Sequence, residues 1–255
     1  MNKVSGLTSA IITGALALSI FSFDILAISP DFIDDALVAP ERKRSDKNRD
    51  PLRKPAEVLR FLGLQEGDTV LDIFSGGGYY TEILSRSVGQ SGNVTAHNNQ
   101  AYRRIMSYDL EDRYNDRRLA NVTLLQAEPA DLKLDNDTYD FVIMALAYHD
   151  FYIQTDDWPE FDVNKMLREV FKSVKKGGVV GIIDHVAISG SGHSVAQKLH
   201  RIDPELVIAE MKSVGFVLEA ESDILANDSD PHDIPMWDPS VRGRTDRFIL
   251  KFRKP

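Results

Sequence analysis

Asp68-Thr69-Val70-Leu71-Asp72-Ile73-Phe74-Ser75-Gly76-Gly77-Gly78-Tyr79-Tyr80-Thr81 is the stretch that decides the fold. Its first seven residues form a short apolar run of the kind found in a strand buried on both faces. Ser75 and three glycines follow, and Tyr79 to Val88 reads as a helix. A strand passing through a glycine turn into a helix opens a βα unit, and ligands of such folds bind beyond the carboxyl ends of the strands. Glycines there let backbone approach a ligand and adopt positive φ. Asp72 stands out, because a carboxylate at an apolar strand end is costly unless it is paired or used. It reads either as a satisfied structural group or as a ligand-side one.

Working outward, the same alternation continues. Pro55 to Leu62 has helical spacing, with Pro at its start and Gly63 as its stop. Downstream, Asn93 to His97 is a second strand, Gln100 to Leu119 a helix and Val122 to Gln126 a third strand. Tyr139 to Leu146 is a fourth, apolar throughout. Asn164 to Val174 is a helix that ends in Lys175-Lys176-Gly177-Gly178, and Val179 to Asp184 is the fifth strand. Asp203-Pro204-Glu205 caps a helix running to Val214. Phe216 to Ala220 and Arg247 to Phe252 close the pattern without a helix between them. The expected fold is α/β: a doubly wound, seven-stranded, mainly parallel sheet with helices on both faces and a C-terminal antiparallel strand pair. It occupies residues 55–255.

The remaining 54 residues divide in two. Lys3 precedes an uncharged run from Val4 to Phe23, the pattern of an export signal, with cleavage expected after Ala27. Residues 1–27 are therefore read as a signal peptide that sends the protein to the periplasm. The alternatives are an uncleaved membrane anchor, since ~20 apolar residues can span a bilayer, or a buried first helix. Residues 28–54 mix both charges without apolar periodicity, as a solvated linker or an arm lying on the domain would. With no cysteine, thiol catalysis and thiolate metal sites are excluded. A formal charge of -9 argues against a nucleic-acid surface.

Val70 to Thr81 resembles the first motif of class I S-adenosylmethionine-dependent methyltransferases. Ala127-Glu128-Pro129-Ala130-Asp131-Leu132, Tyr139-Asp140-Phe141-Val142-Ile143 and Lys175-Lys176-Gly177-Gly178-Val179-Val180 match later segments of that family in order. The signal and Tyr148-His149-Asp150 resemble an exported group known chiefly as predicted methyltransferases. The resemblance implies S-adenosylmethionine as cofactor, with Gly76 and Gly78 lining its methionine half and Asp72 near its amino group. Glu128 would sit by the adenine amine and Asp131 close behind. Asn98 falls where the family usually has an acid gripping the ribose, and Phe74 replaces a common first glycine.

Four of the six histidines, His97, His149, His185 and His193, fall at or just after strand ends. His149-Asp150 follows the fourth strand and Asp184-His185 ends the fifth, so both pairs are expected to face one cleft. A neutral imidazole there suits proton removal from an acceptor O–H or N–H. His149 is the expected base, with Asp150, Asp184 and His185 beside it, and the acceptor is expected to be a small molecule. No metal is assigned, there being no H-E-x-x-H spacing. Two other readings stand beside methyl transfer. One is an exported nucleoside- or metabolite-binding module that kept the fold, and the other is metal-assisted chemistry by the His/Asp cluster.

Overall fold

The computed structural model describes Met1 and residues 31–255; apart from Met1, the expected signal lies outside the described residues. Seven strands form one sheet: β1 (Thr69–Ile73), β2 (Asn93–Asn98), β3 (Val122–Gln126), β4 (Tyr139–Ala145), β5 (Val174–His185), β6 (Val217–Ser222) and β7 (Arg247–Arg253). Their order is β3-β2-β1-β4-β5-β7-β6, with β7 antiparallel to both neighbours and the other pairings parallel. The winding reverses between β1 and β4, and a crevice opens there at the carboxyl edge.

Alternating side chains along the central strands feed two cores. Val70, Phe141, Ile143 and Ile183 point to one face, and Leu71, Ile73, Val142, Met144 and Ile182 to the other. This is why those strands are apolar without a break. Helices α4 (Pro55–Leu62) and α5 (Tyr79–Val88) cover the first face, while α8 (Val163–Ser173) and α10 (Pro204–Ser213) cover the second.

Two differences from the sequence reading matter for the site. The expected helix from Gln100 to Leu119 is broken: α6 (Gln100–Ile105) and α7 (Ser107–Tyr114) meet at Met106, and Asn115–Arg117 form a 3-10 turn. The segment before Pro55 is helical, as α1 (Phe32–Val38), α2 (Arg44–Lys47) and α3 (Asp50–Arg53). Asp31 caps α1 by accepting from the Ile33 N–H at 2.8 Å, and Ile33 is buried in the core beneath. Fold partners hold this segment in place: Asp46 meets Arg113 of α7 at 2.8 Å with both side chains buried. One short helix, α9 (Ala196–Leu199), completes the count among the described residues. None of the described helices is long and apolar enough to cross a membrane.

Candidate active site

The glycine turn is built by left-handed backbone. Phe74, Gly76 and Gly78 have φ of 53°, 58° and 79°. Glycine adopts this region freely, whereas phenylalanine is strained there by ~1–3 kcal/mol unless packing holds it. Packing does: the Phe74 ring is buried among His97, Tyr102, Phe151 and Trp158, with centroids 5.0–5.6 Å away.

The two polar residues assigned around this turn, Asp72 and Asn98, lie beneath it or behind it. Asp72 points to the α5 side, where its carboxylate accepts from the Thr81 hydroxyl at 2.6 Å. Burial pushes its pKa up to about 7, with only the Thr81 bond opposing. Asn98 braces the turn. Its amide NH2 donates to Ser75 Oγ and Gly76 O, at 3.1 and 3.0 Å, and its carbonyl accepts from the Gly76 N–H at 3.0 Å. Both donors are used, so the ribose-gripping role implied by the resemblance does not follow from this geometry. Gly78 is tight against a neighbour, since a Cβ there would lie 2.5 Å from Arg113 Cδ. Gly76 alone is open, the nearest atom to such a Cβ being Tyr102 Cε1 at 3.7 Å.

Gly76 lines a cleft of about 520 Å³, in the range of small-molecule sites. His185, Thr245, Trp237, Arg53 and Arg247 complete its wall. Arg53 lies over the Tyr79 ring at 4.3 Å, and among the described residues it meets no carboxylate. Arg247 donates only to the carbonyls of Leu52 (2.6 Å) and Thr245 (3.3 Å). Burial lowers the pKa of both guanidiniums, and repulsion from neighbouring arginines lowers them further. The sequence reading missed both. The one signal for Arg53 was the charge density of the segment before Pro55, and Arg247 on β7 had none.

Behind that wall lie the other histidine groups. His149 follows β4 on a 3-10 turn (His149–Tyr152), and its N–H donates to Asp184 Oδ2 at 2.8 Å. Its ring is held between acids, with Nδ1 2.7 Å from Asp184 Oδ1 and Nε2 3.2 Å from Asp150 Oδ1. Burial alone would lower the His149 pKa, but the Asp150 and Asp184 carboxylates outweigh it and hold the ring at about 9. Those two carboxylates favour the protonated ring, whereas the sequence reading expected a neutral His149 as the base. His185 is the opposite case. Burial drives its pKa down to about 3, so it is neutral, and Nδ1 lies 2.6 Å from the Thr245 hydroxyl. His200 also reaches this cluster, with Nδ1 3.7 Å from Asp150 Oδ1. His97 is buried under the Phe74 ring, and His193 stacks on Tyr152.

Glu128 and Asp131 are not in the cleft. Glu128 lines a separate hollow of about 340 Å³ with Gln100, Ala101 and Phe161, and its carboxylate accepts from the Gln100 N–H at 3.1 Å. Asp131 pairs with Lys133 at 3.0 Å on the surface. Helix α6 separates the two hollows, presenting Tyr102 to the first and Ala101 to the second.

A seven-stranded sheet of this order, with a glycine turn after β1 at the switch in winding, defines a class I, Rossmann-like methyltransferase fold. Solved structures of that fold are similar. A SAM dependent methyltransferase from Aquifex aeolicus superposes with a TM-score of 0.57 at 22% identity, covering 81% of this chain and 98% of its own. A putative sarcosine dimethylglycine methyltransferase from Galdieria sulphuraria gives 0.58 at 18% identity, with 84% and 89% covered. The chain belongs to the ubiE/COQ5 methyltransferase family, whose model matches residues 50–212. The ubiquinone/menaquinone biosynthesis C-methyltransferase UbiE of Idiomarina loihiensis is 32% identical over 123 residues, 48% of this chain and 44% of that protein. The chain thus spans less than half the length of this curated relative.

Proposed function

We propose that the protein transfers a methyl group from S-adenosylmethionine to a small acceptor that carries an anionic group. The observation behind this reading is the cleft at the sheet's switch point, whose lining combines open glycine backbone with two arginines that meet no carboxylate among the described residues. The cofactor fits at the glycine end, where Ser75, Gly76 and Gly77 would hold its amino-acid half. At the nucleoside end the fit is poorer, because Asn98 is committed to the turn and Glu128 opens on the neighbouring hollow. The cofactor supplies an already activated methyl group, so the protein's task is to position the acceptor and accept its proton.

Arg53 and Arg247 would anchor the acceptor's anion, with Arg247 fixed by its bond to the Leu52 carbonyl. His185 is the neutral ring in the cleft. With Nδ1–H donating to Thr245, its Nε2 would accept a hydrogen bond from the acceptor's O–H or N–H and orient it, a pKa of about 3 making the ring a weak base. His149 and Asp184 act as a positioning pair: the Asp184 carboxylate also accepts from the His185 N–H at 2.7 Å and ties the two histidine segments together. Export to the periplasm through residues 1–27 belongs to the same proposal; the intact mass of native protein decides it, with a Met1 start in the cytosol ruling it out.

Calorimetry with S-adenosylhomocysteine tests the reading. Gly76→Val places a β-branched side chain in the cleft and abolishes binding. Gly190→Val is the control, with φ of 80° and open space around it, so it carries backbone strain without facing the cleft. Absence of binding to the unmodified protein at millimolar ligand, or equal binding by both variants, rejects the cofactor site.

A further inference from the structure

We propose that His149, Asp150 and His200 form a binding site for a divalent transition cation, with Asp184 and Tyr102 orienting two of the ligands. The donor atoms of the three residues lie within 4.8 Å of one another. Nε2 of His149 is 3.2 Å from Asp150 Oδ1, and Nδ1 of His200 is 3.7 Å from the same oxygen. Metal–ligand bonds of ~2.0–2.1 Å at tetrahedral angles put neighbouring ligand atoms roughly 3.3 Å apart. The two separations straddle that value.

Ordinary hydrogen bonding explains this arrangement less well. A gap of 3.7 Å is too long for a hydrogen bond, so the His200 ring faces a carboxylate without bonding to it. His200 is also held in left-handed backbone, with φ of 51° and ψ of 54°. For a residue other than glycine this conformation is unfavourable and persists where surrounding structure imposes it. Here it brings the ring to 5.2 Å from that of His149.

The outer partners are those a metal centre uses. Asp184 holds His149 Nδ1 at 2.7 Å, which leaves Nε2 as the ligand atom and fixes the ring plane. The Tyr102 hydroxyl donates to Asp150 Oδ2 at 2.5 Å and leaves Oδ1 for the cation. A divalent cation here would displace the His149 proton and balance the charges of Asp150 and Asp184 in the buried cluster. Two nitrogens and one oxygen suit Zn²⁺, Fe²⁺ or Mn²⁺ and leave coordination positions open. His185 and Trp237 flank the cluster, with ring centroids 5.8 Å from His149 and 5.0 Å from His200, and both line the cleft. None of the three ligands lines the cleft, so a bound cation would act on an acceptor through the adjacent His185 ring. That role rests on the proposed reading of the cleft as an acceptor site, whereas the cation site itself does not.

The test uses tag-free protein stripped with chelator and titrated with Zn²⁺ and with Mn²⁺, bound metal being counted by elemental analysis after dialysis. The expected result is one equivalent bound at micromolar Kd or tighter. Affinity falls at least 100-fold in His200→Ala and in the near-isosteric Asp150→Asn, and 10–100-fold in Asp184→Asn. His232→Ala, which removes a histidine paired with Asp246 outside the cluster, leaves binding unchanged. Absence of stoichiometric binding, or binding equal to the parent's in folded His200→Ala and Asp150→Asn, overturns the site. S-adenosylhomocysteine is titrated into the same preparation. Its binding without metal binding overturns the cation site alone, and metal binding without it supports the site while rejecting the methyltransferase reading.

Discussion

The molecule buries charge in two places, and the two are finished differently. Under residues 31–50, three buried or half-buried guanidiniums meet carboxylates: Arg113 bonds Asp46 at 2.8 Å and Glu82 at 2.5 Å, Arg118 reaches Glu82 at 2.7 Å, and Arg42 grips Asp50 at 2.7 and 2.8 Å. Burial opposes ionisation of Asp46 and Glu82, yet the arginines outweigh it and lower both pKa values. Around the cleft the opposite holds. Arg53 and Arg247 meet no acid among the described residues, and the His200 ring stops short of Asp150. The first assembly closes on itself and fixes a helix–loop segment to the sheet. The second leaves valences unspent where a ligand can enter, which is how a binding site differs from a brace.

This contrast can be broken experimentally, most severely at Arg113. Arg113→Ala removes the buried bridge between two carboxylates, leaving Asp46 with Arg49 and Glu82 with Arg86 and Arg118, and is expected to cost about 3 kcal/mol. For a domain of this size that is roughly a 10 °C fall in Tm. A loss below about 1 kcal/mol would mean the brace is no stronger than surface ion pairs.

Asp72 provides the next test, a buried acid with no cation at all. Its folded pKa of about 7 lies above the ordinary 3.8, so the native state holds a proton that the unfolded chain releases. Between about pH 4 and 7 the native state binds more protons, and stability falls as pH rises through that window. Asp72→Asn removes the penalty. It should raise stability at pH 8 by up to about 4 kcal/mol, with the gain shrinking toward zero near pH 4. Thermal melts at both pH values check this, and a pH-independent difference would refute it. The smallest effect is expected at Arg53. Arg53→Met trades a stacked cation for an apolar chain and relieves repulsion, so Tm should stay within a few degrees. A fall like that of Arg113→Ala would reveal an acidic partner and erase the contrast.

The fold was legible because its decisive signals are local. The run from Thr69 to Ile73 is apolar since helices cover both faces, and the glycines after it mark a turn whose φ values they alone take without strain. The break at Met106 was not legible, because α6 and α7 each read as helix and only packing places the kink. At the site, sequence brought His149 and His185 to one edge, but not their protonation. That depends on Asp184, set opposite by the pairing of β4 with β5, in which Ala145 faces Ile183. Asn98 shows the same limit: strand periodicity gives its face, but not that the Gly76 backbone would use up its amide. Arg53 and Arg247 stand nearly two hundred positions apart, and no spacing rule joins them.

The bond from Arg247 to the Leu52 carbonyl carries a consequence for the order of assembly. Lys54 is likewise held from late in the chain, donating to the Ile224 carbonyl at 2.7 Å. On a ribosome the first helices emerge long before β7 exists, and β7 is also the strand that joins β6 to the rest of the sheet. A nascent chain in which β7 is still missing has an open edge at β5, a stranded β6 and no anchor for the Leu52 segment. Completion of the cleft therefore waits for β7, and a chain that stalls before that strand would emerge sticky, with no working pocket.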